Sequence, residues 1–188
     1  NFMKCLIQMA AAQNCSMVFF ETVLSLREQK HTYIEAVPVP SDLFDEIPAY
    51  FHVALSEVES EWVDHAKVIK FSEARPFQRS MVSRLPYFMI QWDYKGQRGY
   101  GHVIESRDDE ASLTSSARRG FEEPTYDDGD HVGGGAFPRW FAQEILGNLL
   151  DLPPVRWRAP ARVRDANKRV HEFRRAWEPY DWTRLLDT

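Results

Sequence analysis

Apolar residues recur at Phe2, Cys5, Leu6 and Met9, the spacing of one helix face, so the chain predicts a helix from about Asn1 to Ala12. Met17–Thr22 reads as a strand, and His31–Val37 as its antiparallel partner; the pattern leaves the connection through Leu24–Lys30 open. Pro38 and Pro40 are expected to end that second strand, because proline cannot donate to a ladder. After Pro48, Phe51, Leu55, Val58, Trp62, Ala66 and Ile69 fall on one stripe and predict a long amphipathic helix. Residues 70–86, bounded by Pro76 and Pro86, read as irregular. The clearest hairpin is Tyr87–Tyr94 and Gly99–Glu105, alternating around Lys95-Gly96-Gln97-Arg98. A polar, acidic and finally Gly-rich stretch, 106–135, reads as a loop or insertion. A helix starts near Phe137-Pro138, with Trp140, Phe141, Glu144, Ile145 and Leu149 on its stripe, and stops at Pro153-Pro154. The last helix, Ala161–Trp177, is expected to turn Val163, Ala166, Val170, Phe173 and Trp177 inward and its Arg and Lys side chains outward. This order predicts an α+β fold with at least two small antiparallel sheets.

Composition narrows the setting. With 188 residues and 44% hydrophobic content, the chain has material for one ordinary domain or two small ones. No apolar run approaches the ~20 residues of a membrane span, and no charged-then-apolar leader opens the chain, so no membrane partner is expected. Cys5 and Cys15 form no CxxC pair, which predicts reduced thiols, no zinc site and an intracellular setting. The abrupt opening on a helical face reads as a fragment of a longer protein entering in mid-domain. Net charge is −5, against a surface built wholly for nucleic acid. The total conceals a division: residues 106–130 carry eight acids against three Arg, whereas 156–175 carry eight basic groups against Asp165 and Glu172.

Two stretches carry candidate chemistry. In a strand, His31, Tyr33 and Glu35 would share one face, giving a row of three polar or ionisable groups. A phenol stays protonated at neutral pH, with a reference pKa of about 10, and is a poor nucleophile; a carboxylate at the third place repels phosphate. The row is either a phosphate or nucleotide pocket without turnover or a sheet face satisfied by neighbours or a partner protein. The second stretch is Arg156, Trp157, Arg158, Arg162, Arg164, Lys168 and Arg169, whose cations are spaced to contact phosphates while Trp157 offers a ring for an unpaired base. A solvated helix face, or one docked on an acidic protein, is the plainer alternative. Gly133-Gly134-Gly135 before a helix lacks the lysine and glycine frame of a phosphate loop and reads as a flexible joint. His102 reads as a structural histidine, with Glu105 on the opposite strand face, and the six histidines show no metal-ligand spacing. No cofactor is expected.

The spacing of His31, Tyr33 and Glu35, followed by Pro38, resembles the histidine-triad motif, whose superfamily hydrolyses or transfers nucleotides through its middle histidine. Here that position is Tyr33 and the third is Glu35, so the resemblance implies a pseudoenzyme. More broadly, the chain resembles the C-terminal part of the CwfJ family of splicing factors. The likeness rests on Asn1–Leu6, Phe19–Thr22 and His31–Pro40, then Ala49-Tyr50-Phe51, Glu57–Trp62 and Leu85–Phe88. It continues in Gly99–Glu105, Phe137–Phe141, Leu150–Pro154 and Trp177–Thr183. The resemblance implies the end of a degenerate histidine-triad-like module at 1–48, then a second small module of antiparallel strands and packed helices at 49–188. The insertion at about 107–135 is longer and more acidic than the family needs. It also implies a nuclear, non-catalytic spliceosome component of the intron-lariat stage. The partners implied are spliceosomal proteins and RNA, either small nuclear RNA or the lariat, with the lariat debranching enzyme a further one. A residual nucleotide hydrolase or phosphodiesterase of the histidine-triad superfamily is the alternative.

Overall fold

The computed structural model describes residues 1–26, 31, 33–62, 68–81, 84–104 and 137–186. Its longest strand among the described residues is β1 (Cys15–Val23), an interior strand of the sheet. The run Met17-Val18-Phe19-Phe20 is buried throughout, so side chains on both faces of this strand need cover. Such a strand also needs a neighbour on each edge. On one side β1 pairs antiparallel with β2 (Glu35–Pro40), and on the other with β4 (Tyr87–Gln91). β4 pairs in turn with β5 (Gly99–Val103), and β5 with the two-residue β3 (Ile69–Lys70).

The expectation of two or more small sheets is therefore corrected: among the described residues the five strands form a single antiparallel sheet, ordered β2-β1-β4-β5-β3. The α+β assignment stands. The sheet runs across residue 48, since β1 and β4 pair over five positions from Phe19↔Gln91 to Val23↔Tyr87. The second strand also differs. It begins at Glu35, not His31, and Pro38 and Pro40 lie within it. Both prolines are tolerated there because β2 is the sheet edge, where a missing donor costs no ladder bond on the open side.

Helix α1 (Phe2–Ala11) covers one face, packing Met3, Leu6, Ile7 and Ala10 against Met17 and Phe19. The other face takes α2 (Ile47–Trp62) and the helix Phe141–Leu149. Ile47, Phe51 and Leu55, spaced by four, bury completely against Val18, Phe20, Phe88 and Ile90. The helix begins at Ile47 and not after Pro48, proline at its second residue being compatible with a first turn. Ile69, placed on the helical stripe from sequence, belongs to β3, and Ala66 lies outside the described residues. The stretch read as irregular holds a single helical turn, α3 (Phe77–Ser80).

Phe88 organises this face. Its ring is parallel to Phe51 at 6.3 Å and edge-on to Phe141 at 5.0 Å, and Phe137 lies 5.5 Å away. Phe141, Ala142, Leu146 and Gly147 are the buried positions of the Phe141–Leu149 helix; of the expected stripe, Phe141 is in the core and Ile145 and Leu149 pack against it, and the buried face extends to Ala142 and Leu146. The β4–β5 connection confirms the hairpin. The Asp93 carboxylate accepts from the Gln97 and Arg98 backbone N–H groups, and Gly96 supplies the left-handed turn at φ +67. The acidic insertion, with Gly133-Gly134-Gly135 at its end, lies outside the described residues.

Truncating Phe88 removes the ring on which three segments converge. Phe88→Ala is expected to lower the stability by about 3–5 kcal/mol, read from the urea unfolding midpoint. Tyr33→Ala, at a 68% exposed position, should change it by less than about 0.5 kcal/mol.

Candidate functional site

The predicted row of His31, Tyr33 and Glu35 does not lie along one strand face. His31 and Tyr33 precede β2 and are exposed. The Tyr33 backbone N–H donates to Glu21 Oε1 at 2.9 Å, which ties this segment to the middle of the sheet. Glu21 itself is 2% exposed and accepts a second bond, from the Tyr87 hydroxyl, at 2.7 Å. Burial first, and then the Glu21 carboxylate, push the Tyr87 phenol well above its ordinary value, so it stays a donor. Sequence reasoning missed Glu21, although one carboxylate inside an apolar strand run was a readable signal of a buried anchor.

Glu35 faces the other way, toward the helix over Phe141–Leu149, here α4. Its Oε1 accepts from Gln143 Nε2 at 2.8 Å. Burial raises the Glu35 pKa, with the Gln143 bond opposing it. Of the three row residues, then, one is committed to α4, one is held through its backbone, and one is open to solvent.

The basic stretch divides in the same manner. A single turn, α5 (Val155–Arg158), carries Arg156, Trp157 and Arg158. The Trp157 ring is not outward: it packs on Gly147 of α4, where a Cβ would stand 2.3 Å from the ring, and its Nε1 is buried. Glycine at 147 thus admits the indole. Arg158 pairs with Glu144 of α4 at 2.9 Å, both side chains about two-fifths exposed, a bond worth about 0–1 kcal/mol.

Beyond α5 the picture changes. Residues 158–175 are all exposed. The final helix, α6 (Ala166–Trp177), starts at Ala166 because Asp165 caps it, accepting the Lys168 backbone N–H at 2.9 Å. Arg162 and Arg164 therefore precede the helix. The expectation of an inward stripe is corrected at Val163, Val170 and Phe173, which are 46%, 48% and 51% exposed. The end of α6 meets the body: Trp177 stacks on Phe2 at 6.1 Å, and Trp182, beyond the helix, meets the same ring edge-on at 5.4 Å. Arg156, Arg162, Arg164, Lys168, Arg169, Arg174 and Arg175 take part in no ion pair among the described residues.

His102, on β5, is 5% exposed and lies parallel to Phe137 at 5.4 Å. Its Nδ1 is buried without a partner among the described residues, and burial holds the imidazole below its ordinary 6.5. Glu105 lies outside the described residues.

Comparison with known proteins divides the chain in sequence. Residues 61–183 match a family model described as "Protein similar to CwfJ C-terminus 2", and residues 1–52 one described as "Protein similar to CwfJ C-terminal". The chain is 32% identical over 185 residues to CWF19-like protein 2 of Danio rerio, covering 97% of the chain and 16% of that protein. It is 30% identical to CWF19-like protein 2 of Homo sapiens, covering 97% and 17%. Against Pre-mRNA-splicing factor cwf19 of Schizosaccharomyces pombe, identity is 32% over 193 residues, covering 99% and 26%. The chain thus spans about a sixth to a quarter of these relatives.

His102 sets an acid limit on stability. Its folded pKa is depressed, so below 6.5 the unfolded chain binds the proton more readily. Stability is expected to be full above that value and to decline as pH falls toward the folded pKa. His102→Phe, which keeps the ring stack, should flatten this decline when unfolding midpoints are compared between about pH 7 and 5.

Proposed function

The chain belongs to the CwfJ family, and on that premise we propose that it is a non-catalytic pre-mRNA splicing module that grips RNA through its basic C-terminal arm. The observation that carries this reading is the arm itself: a stretch with eight cations and two acids, exposed from 158 to 175, in a chain of net charge −5. Cations on an exposed segment with few acids beside them are the surface that a phosphate backbone neutralises, with release of counterions. Arg162, Arg164, Lys168 and Arg169 are the contacts proposed, and Arg156 extends them toward the body. Trp157, seated on Gly147, anchors the arm and does not stack on bases. Arg158, bonded to Glu144, fixes the root of the arm.

The setting is a spliceosome in the nucleus, at the intron-lariat stage, with the lariat or a small nuclear RNA as ligand and the debranching enzyme among the protein neighbours. A relative named as a pre-mRNA-splicing factor supports the splicing role. The absence of chemistry is supported by the residues of the former row. Tyr33 is a phenol where an attacking imidazole is needed, and Glu35 is bonded to Gln143.

Two measurements check this. Reversing Arg162 and Arg164 to Glu should weaken binding of the chain to single-stranded RNA. It should also flatten the dependence of log K on log salt by roughly one for each phosphate that is no longer neutralised; an unchanged slope counts against direct contact. An adenylated model substrate should not turn over, and no nucleotidyl adduct should form; turnover abolished by His31→Ala would establish the hydrolase reading instead.

A further inference from the structure

One aromatic ring in the arm is both open and held. Phe173 lies on α6 with about half its surface exposed, and one side of its ring is parallel to Trp177 at 6.2 Å and 10°. Trp177 is fixed by Phe2, and Phe2 by Trp182, so four rings form a ladder that starts on the body and ends at Phe173. Arg169 stands one helical turn before Phe173 and Trp177 one turn after it, on the same side of the helix. An exposed ring set parallel to an offset neighbour, with an arginine one helical turn away on the same side, offers a stacking surface for one unpaired base whose phosphate the cation can meet. We infer that Phe173, and not Trp157, is the residue of this arm on which an unpaired nucleobase of a single strand stacks.

This deepens the RNA reading and rests on it. The two separate because stacking and phosphate contact respond differently to salt. Stacking is carried by the π-face and adds affinity without releasing counterions, whereas each Arg contact adds to the salt slope. Val170 sits one turn earlier and is also half exposed, so the platform continues into an apolar strip that a solvated phosphate contact alone does not call for.

The test uses the 188-residue chain and a fluorescent 12-nucleotide oligouridine, titrated at several salt concentrations. Phe173→Leu is expected to weaken binding about tenfold with an unchanged salt slope, while Phe173→Trp restores it. An RNA duplex of equal length should bind both chains alike, since its bases are already stacked. Photocrosslinking of 5-iodouridine-substituted RNA should yield an adduct at Phe173. If Phe173→Leu binds the oligonucleotide as the parent does while Arg162→Glu with Arg164→Glu weakens it, the arm is an RNA contact but the platform is wrong. The exposed strip then belongs to a protein partner. If the parent chain binds no RNA at all, both readings fall together.

Discussion

Everything that positions the candidate site depends on the burial of Phe88. One ring on the central strands gathers Phe51 from α2, Phe141 from α4 and Phe137 from the segment leading into it. Aromatic pairs at these distances add about 0.5–1.5 kcal/mol each beyond the area they bury. The consequence is geometric as well as energetic. Pinning α4 over β4 also brings it within reach of β2, two strands away across β1.

Helix α4 then connects two otherwise separate parts of the surface. Gln143 reaches Glu35 at the start of β2, Glu144 reaches Arg158, and Gly147 receives Trp157. Gln143 and Gly147 are one turn apart, so the contacts lie on successive levels of the same helix. Glu35 and the root of the basic arm are thus fixed by nine residues that the aromatic core holds in place. Where α4 ends its reach, the chain leaves the body, and exposure begins.

Sequence reasoning works where a local rule decides. The hairpin at Gly96 follows from turn chemistry, α1 from its spacing, and the buried Phe51–Leu55 face from period four. It fails where tertiary context decides. His31 alternates with Tyr33 and Glu35 on paper, yet the backbone there is drawn to the buried Glu21 carboxylate before the strand starts. Val170 and Phe173 have the spacing of a core stripe, but nothing local says whether a core lies opposite them. Trp157 looks like a free ring among arginines; only the glycine one helix earlier, at 147, shows that a socket awaits it.

The charge of the arm also explains why an acidic chain need not repel RNA. At physiological salt, charges separated by more than about 8 Å are largely screened, so the field at a phosphate is set by the nearest side chains and not by the net −5. A helix of twelve residues is about 18 Å long, more than twice that distance. Its contact with Phe2 is at Trp177, at the C-terminal end, so Lys168 and Arg169 sit at the end away from that anchor. Of the two acids within the arm, Asp165 is occupied in capping the helix. Glu172 stands four residues from Lys168 and three from Arg175, where it offsets one cation locally, and Arg162, Arg164 and Arg169 stay outside any ion pair among the described residues. Exposure of the arm is therefore what separates its electrostatics from the rest of the chain.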